Sequence, residues 1–242
     1  MKRKFVIFFA MFLMCFNLLA CQQPEEKLSL GNVMILGDSY STFTDYIPDG
    51  YISWYNPEID TNNVTRVEDT WWHLLVNNTT NSRLLLNASY SGSTISYTGY
   101  DDQYASKISF ITRLNNIISS KEIDLSSVNT LIIFGGINDI VVQAPIGELK
   151  YDNITEQDLY YFYPAVISLF QNAKQNLPNA RILFVINDEF STHIRQDLIS
   201  ICETTNIEYV VLENISRMNY HPDIAGMNEI YSQIYNYFAY NR

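Results

Sequence analysis

Cysteine and histidine are both scarce. Three cysteines, Cys15, Cys21 and Cys202, make no disulfide framework, and none forms a metal-ligand spacing with a histidine. No metal or other cofactor is expected on this basis. Basic residues are outnumbered, 15 Lys and Arg against 26 Asp and Glu, for a formal net charge of −11. So acidic a chain argues against nucleic acid or anionic polymers as partners. Internal repeats are absent, and no change of composition marks a second domain.

Long apolar runs are missing too, with one exception. Lys2, Arg3 and Lys4 precede Phe5 to Leu19, which is almost wholly apolar. This is the pattern of a secretory signal, too short and wrongly flanked for a membrane span. It ends in "NLLAC", which resembles the bacterial lipobox ahead of Cys21. The resemblance implies cleavage before Cys21, diacylglycerol on its thiol and a cell-envelope lipoprotein on the outer membrane, facing the periplasm or the outside. More than one acyl chain is needed for stable anchoring, and a lipidated Cys21 meets that condition. The expected organisation is a signal peptide over 1–20, a lipidated tether over 21–30 and one catalytic-sized domain over 31–242. Removing the signal leaves 222 residues and takes the net charge to −14, a length that suits one well-packed domain.

Within that domain, short apolar runs alternate with longer helix-like ones. Strands are expected at 32–37, 83–88, 130–136, 181–187 and 208–213, each too uniformly apolar for a half-exposed strand. Strands buried on both faces read this way. Helices are expected over 66–78, 155–177, 191–205 and 221–240. Thr155 and Asp158 have capping-box spacing, Pro164 should kink or split its helix, and Pro222 suits a first turn. The fold class is therefore α/β, a three-layer α/β/α sandwich on a flavodoxin-like parallel sheet of about five strands. Residues 40–66 stand out as a long aperiodic stretch, and such loops are often functional.

Ligands of an open α/β sheet bind at the carboxyl ends of its strands. Three polar clusters fall there: Gly37-Asp38-Ser39, Asn87 to Gly92, and Gly135 to Asp139. A serine nucleophile needs a base, and only three histidines could supply it. His73 lies among packing residues of "TWWHLLV". His193 begins a helix, where a protonated imidazole is disfavoured. His221 follows the last strand at the same sheet edge as Ser39, and is the best base. Taken singly, Gly92 could serve only a left-handed turn, Asn138 could cap a turn and Asp38 could stabilise one.

"GDSYS", "NASYSGST", "GGIND" and "HPDIAG" resemble, in order, the four blocks of the SGNH, or GDSL-like, hydrolases. "TWWH" and the aromatic insert resemble secreted Bacteroidetes members. The resemblance implies a serine esterase with Ser39 as nucleophile and His221 as base. It implies an oxyanion hole built from the Ser39 N–H, the Gly92 N–H and the Asn138 amide.

One position departs from the family pattern. Its acid, three residues before the histidine, is Met218 here. A carbonyl of the 216–219 loop, the Asn219 side chain, or a carboxylate of Asp188, Glu189 or Glu213 are the candidates to orient His221. If none does so, a glycan-binding lipoprotein without turnover is the alternative.

The family acts on acetylated carbohydrate, short acyl esters or lysophospholipid. Trp54, Tyr55, Tyr90 and Tyr97, with Tyr46, Tyr51, Tyr100 and Tyr104, crowd the first two loops, and aromatic faces with polar edges suit sugar rings. A glycan ester is the expected substrate, with a lipolytic or thioester-type activity as the alternative.

Overall fold

The computed structural model describes residues 28–241. The signal peptide, Cys21 and most of the tether lie outside the described residues. Leu28 and Leu30 are already buried, and Thr80 and Ser82 hold their backbone. The packed chain therefore begins by Leu28, a few residues ahead of the expected boundary at Gly31.

Five parallel strands form the sheet: β1 (Asn32–Gly37), β2 (Arg83–Asn87), β3 (Thr130–Phe134), β4 (Arg181–Ile186) and β5 (Glu208–Val211), in the order β2-β1-β3-β4-β5. This is the flavodoxin-like order, whose direction of winding reverses between β1 and β3. Side chains of β1 alternate between two cores. Met34 and Leu36 join the cluster under α3 (Phe110–Ser120), α5 (Phe162–Asn176) and α6 (Thr192–Thr205), while Val33 and Ile35 join the one under α1 (Trp71–Asn77) and α7 (Ile224–Tyr240). Helices on both faces explain the uniform apolarity of β1, β3 and β4. The edge strands β2 and β5 depart from it, being mostly half-buried.

Three short elements complete the chain: α2 (Asp102–Ile108), α4 (Ile137–Val141) and an antiparallel pair, β6 (Arg217–Met218) with β7 (His221–Pro222). Helices α2 and α4 are short, seven and five residues, and α3, although clearly amphipathic, is a further element missing from the sequence expectations. Thr155 and Asp158 do form a capping box, but it closes a 3₁₀ turn at Glu156–Tyr160. Pro164 then sits in the first turn of α5, where no backbone N–H is needed. The final helix starts later than expected. Asp223 caps it through the Gly226 N–H, and Pro222 lies in β7 instead. No described helix is long and apolar enough to cross a membrane.

Candidate active site

β1 and β3 end level, Gly37 beside Phe134, and each leads into a turn at the point where the winding reverses. Gly37 is obligatory for steric reasons. A Cβ there would lie 2.6 Å from Ser89 Oγ and 2.7 Å from Ser41 Cβ. Asp38 caps the following 3₁₀ turn, its Oδ1 accepting the Tyr40 N–H at 3.1 Å. The Thr42 hydroxyl donates to the Ser39 carbonyl at 3.0 Å, so the turn is closed on both sides of Ser39.

His221 arrives on the β6–β7 hairpin. Its two-residue loop, Asn219-Tyr220, has φ of 50° and 64°, the left-handed pair that a tight hairpin turn demands. This turn brings the Asn219 carbonyl to 3.1 Å from His221 Nδ1. A carbonyl only accepts, so Nδ1 carries the proton and Nε2 presents its lone pair. Nε2 lies 3.0 Å from Ser39 Oγ. Burial holds the imidazole below its ordinary 6.5, and the Arg217 charge pushes the same way against the Asn219 carbonyl. The ring is thus neutral and correctly protonated to receive a proton from Ser39.

Among the described residues, none of the side chains expected to orient His221 contacts its ring. Asp188 pairs with Arg217 and accepts the Ile215 N–H. Glu189 accepts the Tyr40 hydroxyl at 2.7 Å and lies 3.1 Å from Arg217 Nε. Glu213 is tied through its backbone to Gln233. The Asn219 side chain donates to the Thr61 carbonyl. Among the described residues, then, the Asn219 main-chain oxygen is the partner of Nδ1, and the side-chain candidates are not.

Gly92 adopts φ +76°, and a Cβ there would meet nothing within 4 Å. Among the described residues, neither its N–H nor that of Ser39 donates to a protein acceptor. Asn138, at the start of α4, uses one amide hydrogen on the Ser93 carbonyl at 3.0 Å and accepts from Tyr100 at 3.2 Å. Among the described residues its second amide hydrogen has no acceptor. Asp139 takes the N–H groups of Ile95 and Ser96 at 2.8 and 2.9 Å. Fully buried Arg113 donates to the Ala88 carbonyl and to Ser93 Oγ. These three side chains fix the loop that carries Gly92. Sequence gave no sign of Arg113, because a helical arginine normally reads as solvated.

The aromatic insert divides in its roles. Trp54 is stacked on His221, ring centroids 3.7 Å apart at 7°. Tyr55 is not a surface residue: it is fully buried, and its hydroxyl donates to the Pro222 carbonyl at 2.7 Å. Tyr97 packs against Tyr160 and the core, away from the cleft. Tyr90 lines a cleft of about 190 Å³ beside Gly92, together with Ile52, Tyr100, Tyr104 and Ile108, and shares a hydrogen bond with Tyr104 at 2.9 Å. Sequence reasoning also missed Tyr220, 86 % exposed at the hairpin tip, and Asn62, which faces the carbonyls of Met218, His221 and Pro222. The φ-positive Asn219 was the available signal for that hairpin. His73 bonds locally to Asn77, and exposed His193 lies beside Asp197.

The family model for GDSL-like lipase/acylhydrolase matches residues 31–238. A GDSL-like lipase candidate from Bacteroides ovatus is 36 % identical over 88 % of this chain and 100 % of its own, with a TM-score of 0.80. A second, from Bacteroides uniformis, is 37 % identical over 86 % and 95 %, at 0.78. A family two carbohydrate esterase from Clostridium thermocellum, in complex with cellohexaose, shares the fold at 14 % identity and a TM-score of 0.58, over 89 % of this chain and 65 % of its own. No curated protein matches the chain.

Proposed function

The chain belongs to the GDSL-like lipase/acylhydrolase family, whose fold it has and whose SGNH-type hydrolase chemistry it shares; from that premise we propose that it is a serine esterase removing short acyl groups from carbohydrate. The observation that carries the reading is the chain of contacts from Ser39 Oγ to His221 Nε2 at 3.0 Å and from Nδ1 to the Asn219 carbonyl at 3.1 Å.

In this mechanism Ser39 Oγ attacks the ester carbonyl carbon while its proton passes to His221 Nε2. The negative charge gathers on the former carbonyl oxygen, facing the N–H groups of Ser39 and Gly92 and the free amide hydrogen of Asn138. Collapse breaks the bond to the alcohol oxygen, and His221 returns the proton to the departing alcohol. A water then gives its proton to His221 and attacks the acyl-Ser39 carbonyl, and the serine leaves reprotonated. The backbone acceptor makes this a Ser–His dyad. It fixes the tautomer, whose loss in a triad costs about 10⁴ in rate.

Two features support a small acyl group on a polar alcohol. The cleft beside Gly92 is about 190 Å³, on the oxyanion side, where an acyl chain would rest. Next to His221, Trp54 on the ring and the exposed Tyr220 at the hairpin tip offer aromatic surface of the kind that suits a sugar ring. A lipid anchor at Cys21 would hold such an enzyme at the cell envelope, within reach of glycan.

The test compares residues 22–242 with the Ser39→Ala variant on acetyl, butyryl and octanoyl chromogenic esters and on acetylated oligosaccharides. Turnover confined to the shorter esters and lost in the variant is expected. Equal background rates in both proteins would overturn the reading in favour of a binding protein.

A further inference from the structure

If Ser39 and His221 act as proposed, the imidazolium formed in each step lacks the carboxylate that Met218 replaces. Among the described residues no carboxylate contacts the ring. Arg217, on the same hairpin, opposes a positive charge there, and Glu189, beyond β4, reaches it only through Tyr40. The phenols of Tyr40 and Tyr55 meet the ring nearly perpendicular, at 5.3 and 6.3 Å. What remains on its face is Trp54.

We propose that Trp54 is a positioning residue that stands in for the missing acid, its indole face holding the His221 plane and stabilising the imidazolium. A cation over an indole face within about 6 Å is attracted by the ring quadrupole, and tryptophan is the strongest of the aromatics in this respect. The 3.7 Å separation and 7° angle place the whole imidazole within that range.

Two further observations point to the face of the indole as its working part. Among the described residues the buried indole N–H has no acceptor, and a buried polar group left unpaired calls for a compensating role. The Trp54 backbone is also built into the site. Its N–H donates to Thr42 Oγ1 at 2.8 Å, the hydroxyl that closes the Ser39 turn. The next residue, Tyr55, grips Pro222. The ring is thereby fixed relative to nucleophile and base at once, which a mobile substrate platform would not require.

The experiment replaces Trp54 alone with mono-, di- and trifluorotryptophan by nonsense suppression in the full soluble domain. Fluorine drains charge from the ring face and leaves its shape nearly unchanged. Two quantities are read: the pH profile of kcat on a small chromogenic ester, and the His221 titration by NMR. Both kcat and the His221 pKa should step down with each fluorine, kcat by roughly three- to tenfold over the series. Trp54→Phe should retain more activity than Trp54→Leu. A flat response in both readouts would overturn the proposal and leave Trp54 a packing residue. Failure of the esterase reading is separable, because it appears as turnover that is absent or independent of Ser39, whereas the NMR titration needs no turnover.

Discussion

The phenol of Tyr55 donates to the Pro222 carbonyl at 2.7 Å, which ties the insert following Ser39 to the residue that follows His221. Asn62, from the same insert, faces three carbonyls of that hairpin. The base is therefore held in place by the loop that the nucleophile's own turn launches. Tyr55→Phe should cost about 1 kcal/mol, the worth of one buried hydrogen bond, or a few degrees in Tm. If the bond also positions the base, kcat falls with KM unchanged. A lower Tm with unaltered kcat would confine Tyr55 to stability.

Asn138 offers a neutral donor from the start of α4, aimed by its own bonds to Ser93 and Tyr100. Asn138→Ala should lower kcat by about 10²–10³, the loss of one oxyanion donor, with little change in KM. Asn138→Asp should lose at least as much, because a carboxylate cannot donate and repels the developing oxyanion. Steady-state kinetics on acetyl esters, with circular dichroism to verify folding, decides it. Equal kcat in wild type and both variants would remove Asn138 from the hole.

The central strands were legible because burial on both faces leaves them nothing but apolar residues, as in Val33 to Leu36. Ser39 and His221 could be paired from their strand-end positions and the scarcity of histidine, whereas Gly92 and Asn138, each readable as a turn residue, stood out only through the resemblance to the SGNH blocks. The orientation of His221 was legible only as a set of alternatives. A carbonyl acceptor carries no side-chain signature, so the 216–219 carbonyl stood level with the Asn219 side chain, Asp188, Glu189 and Glu213 until the fold put the Asn219 main-chain oxygen beside Nδ1. Tyr55 and Tyr97, expected among the sugar-facing aromatics, are packed instead, because composition cannot tell a tyrosine held in the core from one facing solvent. Arg113 escaped for the converse reason, since a buried arginine becomes visible only with the carbonyls that receive it.

The pH profile follows from the neutral imidazole. Burial first, and the Arg217 charge second, hold His221 below its ordinary 6.5, so the acid limb of kcat/KM should fall below pH 6.5. Arg217→Gln removes the opposing charge and leaves Asp188 and Glu189 uncompensated nearby. Both changes favour the imidazolium, so the acid limb should move up in pH. The broken ion-pair cluster should also cost about 3 kcal/mol in stability. An acid limb that stays in place would mean that Arg217 acts on the fold alone.

Asp38 is fully buried, one oxygen on the Tyr40 N–H and the other without a partner among the described residues. Burial pushes its carboxyl from 3.8 up to about 7, against the pull of the Tyr40 N–H and of Arg113. Between those two values the folded protein keeps a proton that the unfolded chain has released. Stability associated with Asp38 is therefore full below pH 3.8, declines as pH rises and is gone above about 7. Asp38→Asn keeps the acceptor for Tyr40 and stays neutral throughout, so it removes this slope. The variant should gain on wild type as pH rises from 4 to 7, by on the order of 4 kcal/mol across the window, and the gap should then level off. Asp139, pushed up to about 6 by its own burial, titrates in both proteins, and its charge also raises Asp38, so the difference includes the coupling between the two carboxyls. Chemical denaturation of both proteins at half-unit intervals measures the gap. A gap independent of pH would overturn the prediction and mean that Asp38 is ionised throughout, its charge balanced by Arg113.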